Sequence, residues 1–400
     1  MTTKLAWRNI WRNKTRTFVF VAAAFLGFGV AILAINLMKS ISQQRTNDAI
    51  DIQTSHIELH KKGFIEDKEI SQFIPDADVL ISEIRKVPNV NSVSKRISSN
   101  AVIASSENSV AGEIKGVFPE DEKKVSVLKD FIVDGTFLTG SSENQILVSK
   151  KIADKLKLKI RSKVVLTLKA ANGEIVGAAF KVAGIFVTPS SPFDEMTFVV
   201  NYTDIAALMG ISQPHEIAVR VTDANLLQTT EQAIKSKLPI SIAINNWKEL
   251  LPELTAFDGF LNMVGVLFSI VIIIGLGFSL LNTMNMIVQE RTKEIGMLRA
   301  IGLSRLKVLS MLVKEAGMMM FVGSFSGIIL GVVLVLITSK TGIRITSDGG
   351  ALGIRSTVYP NLNPELLVMI IIIASVLTSV ISLFPALRAF NIKPQTALKD

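Results

Sequence analysis

The 400-residue chain contains no cysteine, which excludes disulfide bridges and thiolate metal sites and leaves the redox compartment open. Histidine is nearly as scarce, with only His56, His60 and His215. His56 and His60 stand four apart in an alternating stretch that reads as a strand, which predicts two solvated side chains on one face rather than a metal pair. No Gly-x-Ser-x-Gly or His-Glu-x-x-His motif occurs, and no phosphate loop of the form Gly-x4-Gly-Lys-Ser/Thr. These absences leave an enzyme unsupported, and they assign any use of nucleotide energy to another subunit.

Charge is missing from four whole stretches, 17–38, 259–288, 316–339 and 366–387, which run for 22, 30, 24 and 22 residues without Asp, Glu, Lys or Arg. About 20 apolar residues in a helix cross the ~30 Å hydrocarbon core with their backbone bonds closed internally. With 49% hydrophobic residues and a mean hydropathy of +0.43, a wholly soluble protein is excluded. The expected fold class is a polytopic α-helical membrane protein with four transmembrane helices and a large mixed α/β extracytoplasmic domain, 39–258, between the first and second. Because no span contains an ionisable residue, an ion channel or proton-driven carrier is disfavoured.

The net charge of +9 is unevenly spread. Residues 1–38 hold five basic and no acidic side chains, 39–258 hold 26 and 28, and 259–400 hold 12 and 6. The basic excess therefore belongs to the membrane flanks, a positive-inside pattern that excludes nucleic acid as a partner. Lys4, Arg8, Arg12, Lys14 and Arg16 place the N-terminus in the cytoplasm, and the 22-residue run that follows exceeds a signal peptide. Counting spans puts 289–315 inside, 340–365 outside and the tail 388–400 inside, with both termini cytoplasmic. Leu5, Trp7, Ile10 and Trp11 alternate with basic residues in 1–16, which reads equally as a basic amphipathic segment forming a short interfacial helix and as a simple basic flank with two belt tryptophans. The second span, at about 45 Å of helix, outruns the bilayer and must tilt or project as a stalk.

Within 39–258, alternation predicts strands over 52–60, 90–104, 110–117, 145–148, 164–170, 177–187, 196–200 and 216–221, and helices over 77–86, 150–158, 203–209 and 225–237. The basic stretch 150–163 reads as a solvated helix and turn whose buried side is Ile152, Ala153, Leu156, Leu158 and Ile160. Small residues recur every fourth position as Ala23, Gly27 and Ala31, as Gly275 and Ser279, and as Gly323, Gly327 and Gly331, and such stripes admit close helix packing inside a bundle or between subunits.

The loop between the second and third spans is short of the polar residues a loop requires. Ile295, Leu298, Ile301, Leu303 and Leu306 crowd it, which marks a docking surface. Gly302 sits where a C-cap glycine would end the inward helix, and Ser304 where a side chain would N-cap the next. Glu290 and Glu294 repel each other at spacing four, with Arg291 and Lys293 placed to offset them.

This loop, Glu290-Arg291-Thr-Lys-Glu294-Ile295-Gly296-Met-Leu298-Arg299-Ala-Ile-Gly302-Leu303-Ser304, resembles the signature of the FtsX-like permease family. The family comprises the membrane subunits of mechanotransmission-type ABC systems, among them macrolide exporters and lipoprotein-release permeases of the LolC/LolE type. Ala6-Trp-Arg-Asn-Ile-Trp-Arg-Asn-Lys-Thr-Arg16 and Pro385-Ala-Leu-Arg388-Ala-Phe-Asn-Ile-Lys-Pro394 resemble the same family, and so does the arrangement of one span, a large external domain and three spans. Ser55-His-Ile-Glu-Leu-His60 and Glu113-Ile-Lys-Gly-Val-Phe-Pro-Glu120 look like the lipoprotein-release branch, whereas Ile160-Arg-Ser162 and Pro189-Ser-Ser-Pro192 depart from it. The resemblance implies a bacterial inner-membrane permease whose residues 289–315 couple it to a separate cytoplasmic ATPase, which would bind ATP and Mg while this chain binds no cofactor itself. It further implies a second permease copy or paralogue, lipoprotein cargo and a periplasmic carrier. Its rivals are an exporter permease for drugs or peptides and a non-transport regulator of cell-wall hydrolases.

Overall fold

The computed structural model describes residues 14–140, 144–345 and 354–365, with isolated positions between 7 and 12 and between 367 and 381. The chain forms two compact units, one of Met1–Ser42, Asp258–Arg344 and Thr357–Asp400, the other of Gln43–Phe257 and Ile345–Ser356. Helix α1 (Lys14–Ala49) runs into a π-helical turn, Ile50–Thr54, which ends at Ser55 with φ at 70°. The strand expected from residue 52 thus begins only at Ile57.

The second unit opens with β1 (Ile57–Lys61), α2 (Ala77–Ile84) and the 15-residue β2 (Val90–Ala104). After β2 come β3 (Ser109–Val117), α3 (Pro119–Val125), β4 (Ile132–Gly135), β5 (Gln145–Ser149), α4 (Lys150–Lys155), β6 (Lys163–Lys169), β7 (Ile175–Phe186), α5 (Ser191–Met196), β8 (Thr197–Asn201) and α6 (Tyr202–Met209). The unit then closes with β9 (Glu216–Val221), α7 (Leu227–Lys235) and β10 (Ile242–Asn246). Strands β10, β1, β9 and β2 lie side by side and antiparallel, with Ile57 opposite both Asn246 and Val219. With α2 and α7 they make a β-α-β-β-α-β lobe into which everything from β3 to α6 is inserted.

Period-two alternation explains the core of this lobe. Ile57, Leu59, Val93, Ile217 and Val219 form one buried cluster with Ile81 and Ile84 of α2 and Ile234 of α7. The intervening residues Glu58, His60, Ser94, Arg96 and Glu216 point to the other face, and they too are buried. This corrects the expectation of two solvated strand histidines: α3 packs over β2 and β9 on that face, Phe64 stacks on His60, which is 3% exposed, and His56 lies half-buried just before β1. Arg96 balances the buried charge, its Nη2 lying 2.6 Å from Glu122 Oε1 and its Nη1 3.1 Å from Glu58 Oε1. Nη1 also donates at 3.0 Å to the Gln53 carbonyl in the π-turn, as does Lys115 Nζ. Burial opposes protonation of His60, but the Glu58 carboxylate 3.3 Å away outweighs it and holds the imidazole above its usual range.

The inserted strands close on themselves. The second half of β2 pairs with β3 on one side and β6 on the other, and the circuit continues through β8, β5 and β7 back to β6, giving a six-stranded barrel. Ile97, Ile103, Ile114, Val148, Leu166, Phe180 and Phe198 fill it. In α4 and the turn that follows it, Ile152, Ala153 and Leu156 are buried while Lys150, Lys151 and Lys157 pair with Asp154, Glu195 and Glu107, so the basic stretch is a solvated surface.

In the first unit, α1 is joined by α8 (Pro252–Glu290), α9 (Thr292–Ala300) and α10 (Arg305–Thr341). Among the described residues, three helices are long and apolar enough to cross a membrane. At 36, 39 and 37 residues, α1, α8 and α10 are each about 55 Å long, so the excess length expected of the second span alone is common to all three. The expected fourth span, 366–387, and the tail lie outside the described residues apart from isolated positions, as does much of 1–16.

Helices α1 and α10 touch backbone to backbone. A Cβ on Gly327 would stand 2.8 Å from the Phe25 carbonyl oxygen, one on Gly323 2.5 Å from Ala24 Cβ, and one on Gly331 2.7 Å from Ile32 Cβ. The facing stripe on α1 is therefore Ala24, Phe28 and Ile32, while Gly27 meets Leu276 of α8, Ala31 is buried and Ala23 is half-buried. The proposed stripe on α8 is corrected: among the described residues nothing meets Gly275 and Ser279 is half-buried, and the close approach is at Gly277, against Ile381.

Candidate functional site

The strongest functional feature of the sequence was the apolar stretch after α8, and its geometry follows from a few residues. Helix α8 bends at Arg291, whose φ and ψ of −106° and 16° leave the helical region, although the Arg291 amide still reaches the Ile287 carbonyl at 3.2 Å. Thr292 contributes to the bend, its hydroxyl donating to the carbonyls of Val288 and Gln289 at 3.0 Å each. Arg291 turns inward, where Nη1 lies 3.3 Å from Glu315 Oε2 on α10, and both side chains are almost fully buried.

Helix α9 ends in a Schellman turn. The Gly302 amide donates to the Arg299 carbonyl at 3.1 Å and the Leu303 amide to the Leu298 carbonyl at 3.0 Å, with Gly302 at φ +100°. That conformation strains any side chain larger than hydrogen. Ser304 takes the N-cap position of α10 through its carbonyl, which accepts from Lys307 and Val308, but its hydroxyl makes no cap bond. The turn between α9 and α10 is thus four residues long, and α10 starts eleven residues before the apolar run at 316.

Exposure divides the predicted docking residues. Ile301 (78%), Leu306 (69%) and Met297 (52%) are open, Leu298 is partly so, and Leu303 is half-buried. Ile295 is 1% exposed and joins Ile10, Phe20, Leu280, Ile287 and Leu312 in the core, with Gly296 buried beside it, so Ile295 belongs to the bundle and not to the docking face. Met297 escaped the sequence reading because the hydrophobic periodicity alone does not say which side of a short helix the bundle covers.

The acidic pair is also differently placed from expectation. Glu290 pairs with Arg16 and Glu294 with Arg12, so cations near the N-terminus of α1 oppose them rather than Arg291 and Lys293 alone. Arg12 holds the Glu294 carboxyl below the usual range, chiefly through their hydrogen bond. Arg12, Arg16, Arg291, Glu290 and Glu315 line a small polar cavity of about 180 Å³. Among the described residues no group of three or more His, Asp or Glu is arranged to hold a metal ion.

Residues 266–394 match the FtsX-like permease C-terminal family and residues 17–237 match the MacB-like periplasmic core domain family. The lipoprotein-releasing system transmembrane protein LolC of Xylella fastidiosa (strain 9a5c) is 25% identical over 97% of this chain and 95% of its own length. The pyoverdine export ATP-binding/permease protein PvdT of Pseudomonas fluorescens (strain Pf0-1) is 21% identical over 86% of this chain, which spans 54% of that protein. The crystal structure of the periplasmic region of MacB from Actinobacillus actinomycetemcomitans aligns with 51% of this chain and 94% of its own at 13% identity, with a TM-score of 0.36.

Proposed function

Since this chain belongs to the family of ABC-transporter permeases with a MacB-like periplasmic core domain and an FtsX-like C-terminal region, we propose that it is the membrane subunit of a lipoprotein-releasing ABC system of the bacterial inner membrane. The observation that carries the cargo is the likeness to a lipoprotein-releasing transmembrane protein, which runs almost end to end in both chains. The β-barrel-bearing unit faces the extracytoplasmic side and the turn at Gly302 the cytoplasm, in keeping with the basic flanks. The open apolar side chains Met297, Leu298, Ile301 and Leu306 form the seat of a cytoplasmic ABC ATPase, since apolar surface of this kind on a polar membrane flank is otherwise costly. ATP and Mg are bound by that subunit. A second permease copy or paralogue and a periplasmic carrier complete the cycle.

The need for ATP follows from the cargo. Each buried acyl methylene holds a lipid anchor in the bilayer by ~0.8 kcal/mol, so a multiply acylated protein does not leave unaided. Depleting this permease in its native cell strands mature lipoproteins in the inner membrane on fractionation and leaves drug and siderophore export unchanged. The partial match to a pyoverdine exporter favours export as the second reading, and normal lipoprotein sorting with lost export would establish it in place of the first. Normal sorting and export with failed daughter-cell separation would instead indicate a regulator of cell-wall hydrolases.

A further inference from the structure

Arg12 and Arg16 are four residues apart in the sequence, as are Glu290 and Glu294. They pair crosswise, Arg12 with Glu294 and Arg16 with Glu290, so the two segments pass each other in opposite directions. Behind the charges the contact is apolar, with Ile10, Ile287 and Ile295 buried in one cluster. The Thr17 hydroxyl donates to the Ile10 carbonyl at 2.6 Å and fastens the segment before α1 to α1 itself. Helix α9 therefore has two sides: Glu294 and Ile295 engage the N-terminal segment and α8, while Met297 and Leu298 are open. Exposed ion pairs contribute little to folding stability, so what this pairing supplies is orientation.

We propose that Arg12 and Arg16 are positioning residues of the coupling element, holding α9 against the segment that precedes α1 so that a displacement of α9 reaches α1 as well as α8 and α10. The inference rests on α9 being the contact for a cytoplasmic ATPase, and it assigns Glu290 and Glu294 to an intrachain contact rather than to that ATPase. The buried Arg291 to Glu315 pair links the bend to α10, and the glycine stripe of α10 lies on α1, so the four elements form one connected block.

Charge exchange separates the two roles of the glutamates. In the purified complex of the full chain with the ABC ATPase that co-purifies with it, Arg12→Glu and Glu294→Arg each lower permease-dependent ATP turnover at saturating ATP about fivefold or more, with the ATP KM unchanged. The double exchange, Arg12→Glu with Glu294→Arg, restores turnover to within about twofold of wild type. A double variant no better than the worse single one overturns the inference, because a glutamate that contacts the ATPase is not rescued by a change in its own chain. Full wild-type turnover in Arg12→Glu also overturns it. As a check that does not depend on turnover, Arg12→Cys with Glu294→Cys in this naturally cysteine-free chain forms an internal crosslink with a short bismaleimide, which spans the gap that two long side chains leave and a disulfide does not, and failure to crosslink counts against the proposal. A wild-type chain that neither binds nor stimulates an ATPase defeats the functional reading itself, and this inference with it.

Discussion

Arg96 is the residue on which the polar face of the β-α-β-β-α-β lobe depends. It reaches Glu58, Glu122 and the Gln53 carbonyl from a position 1% exposed. Removing one partner of a buried ion pair costs about 3–5 kcal/mol, because the charges left behind cannot recover water. Arg96→Ala is expected to lower the stability of this unit by that amount, measured by urea unfolding of the full chain in detergent by the fluorescence of Trp247 in a Trp7→Phe, Trp11→Phe background. A second residue gives a pH signature. Burial pushes the Asp194 carboxyl up to about 6, against hydrogen bonds from the Thr188 amide at 3.0 Å and hydroxyl at 2.7 Å. A value raised above that of the unfolded chain means stability is complete at low pH and is lost as pH rises through about 6. The gain in Tm from Asp194→Asn, taken relative to wild type, is therefore larger at pH 7.5 than at pH 5, by on the order of 2–4 °C. Equal differences at both pH values would exclude the effect. None of this was readable from the sequence: the alternation Ile57, Glu58, Leu59, His60 gives the two faces correctly but not that α3 covers the polar one.

At the scale of the element, legibility followed periodicity. The span of β2 and the positions of β3, β5 to β9, α2, α4, α6 and α7 follow from alternation or from apolar spacing, whereas β4 and β10 are short and half-exposed and give little signal. The turn after α9 was legible at Gly302, since only glycine takes φ +100° without strain, but the surroundings of Glu290 and Glu294 were not, because their partners lie more than 270 residues away. Small residues at spacing four were a weaker guide, because spacing cannot tell a packed stripe from an open one. That distinction is testable. Gly327→Leu drives a side chain into the α1 backbone and should lower the thermal stability of the detergent-solubilised chain by several degrees, while Gly275→Leu, which meets nothing within 4 Å among the described residues, should leave it unchanged. Comparable losses in both variants would remove the assignment of the α1 to α10 contact.

For the whole molecule the first question is sidedness, and the lack of cysteine makes it directly measurable. Asn172→Cys, in the exposed turn between β6 and β7, should react with an impermeant maleimide in intact spheroplasts, and Ser304→Cys only after lysis. The reversed pattern would invert the orientation and everything assigned to either side. The sheet also has a consequence for how the protein is made. Its first strand, β1, lies between β9 and β10, the last two of this unit, so Ile57 waits for partners that follow it by about 160 and 190 residues. At about 5–20 residues per second, synthesis leaves that strand without neighbours for roughly 10–40 s. Through this interval both edges of β1 are open to any other extended chain, and a chaperone or the speed of translation, rather than the sheet itself, must keep the newborn strand single.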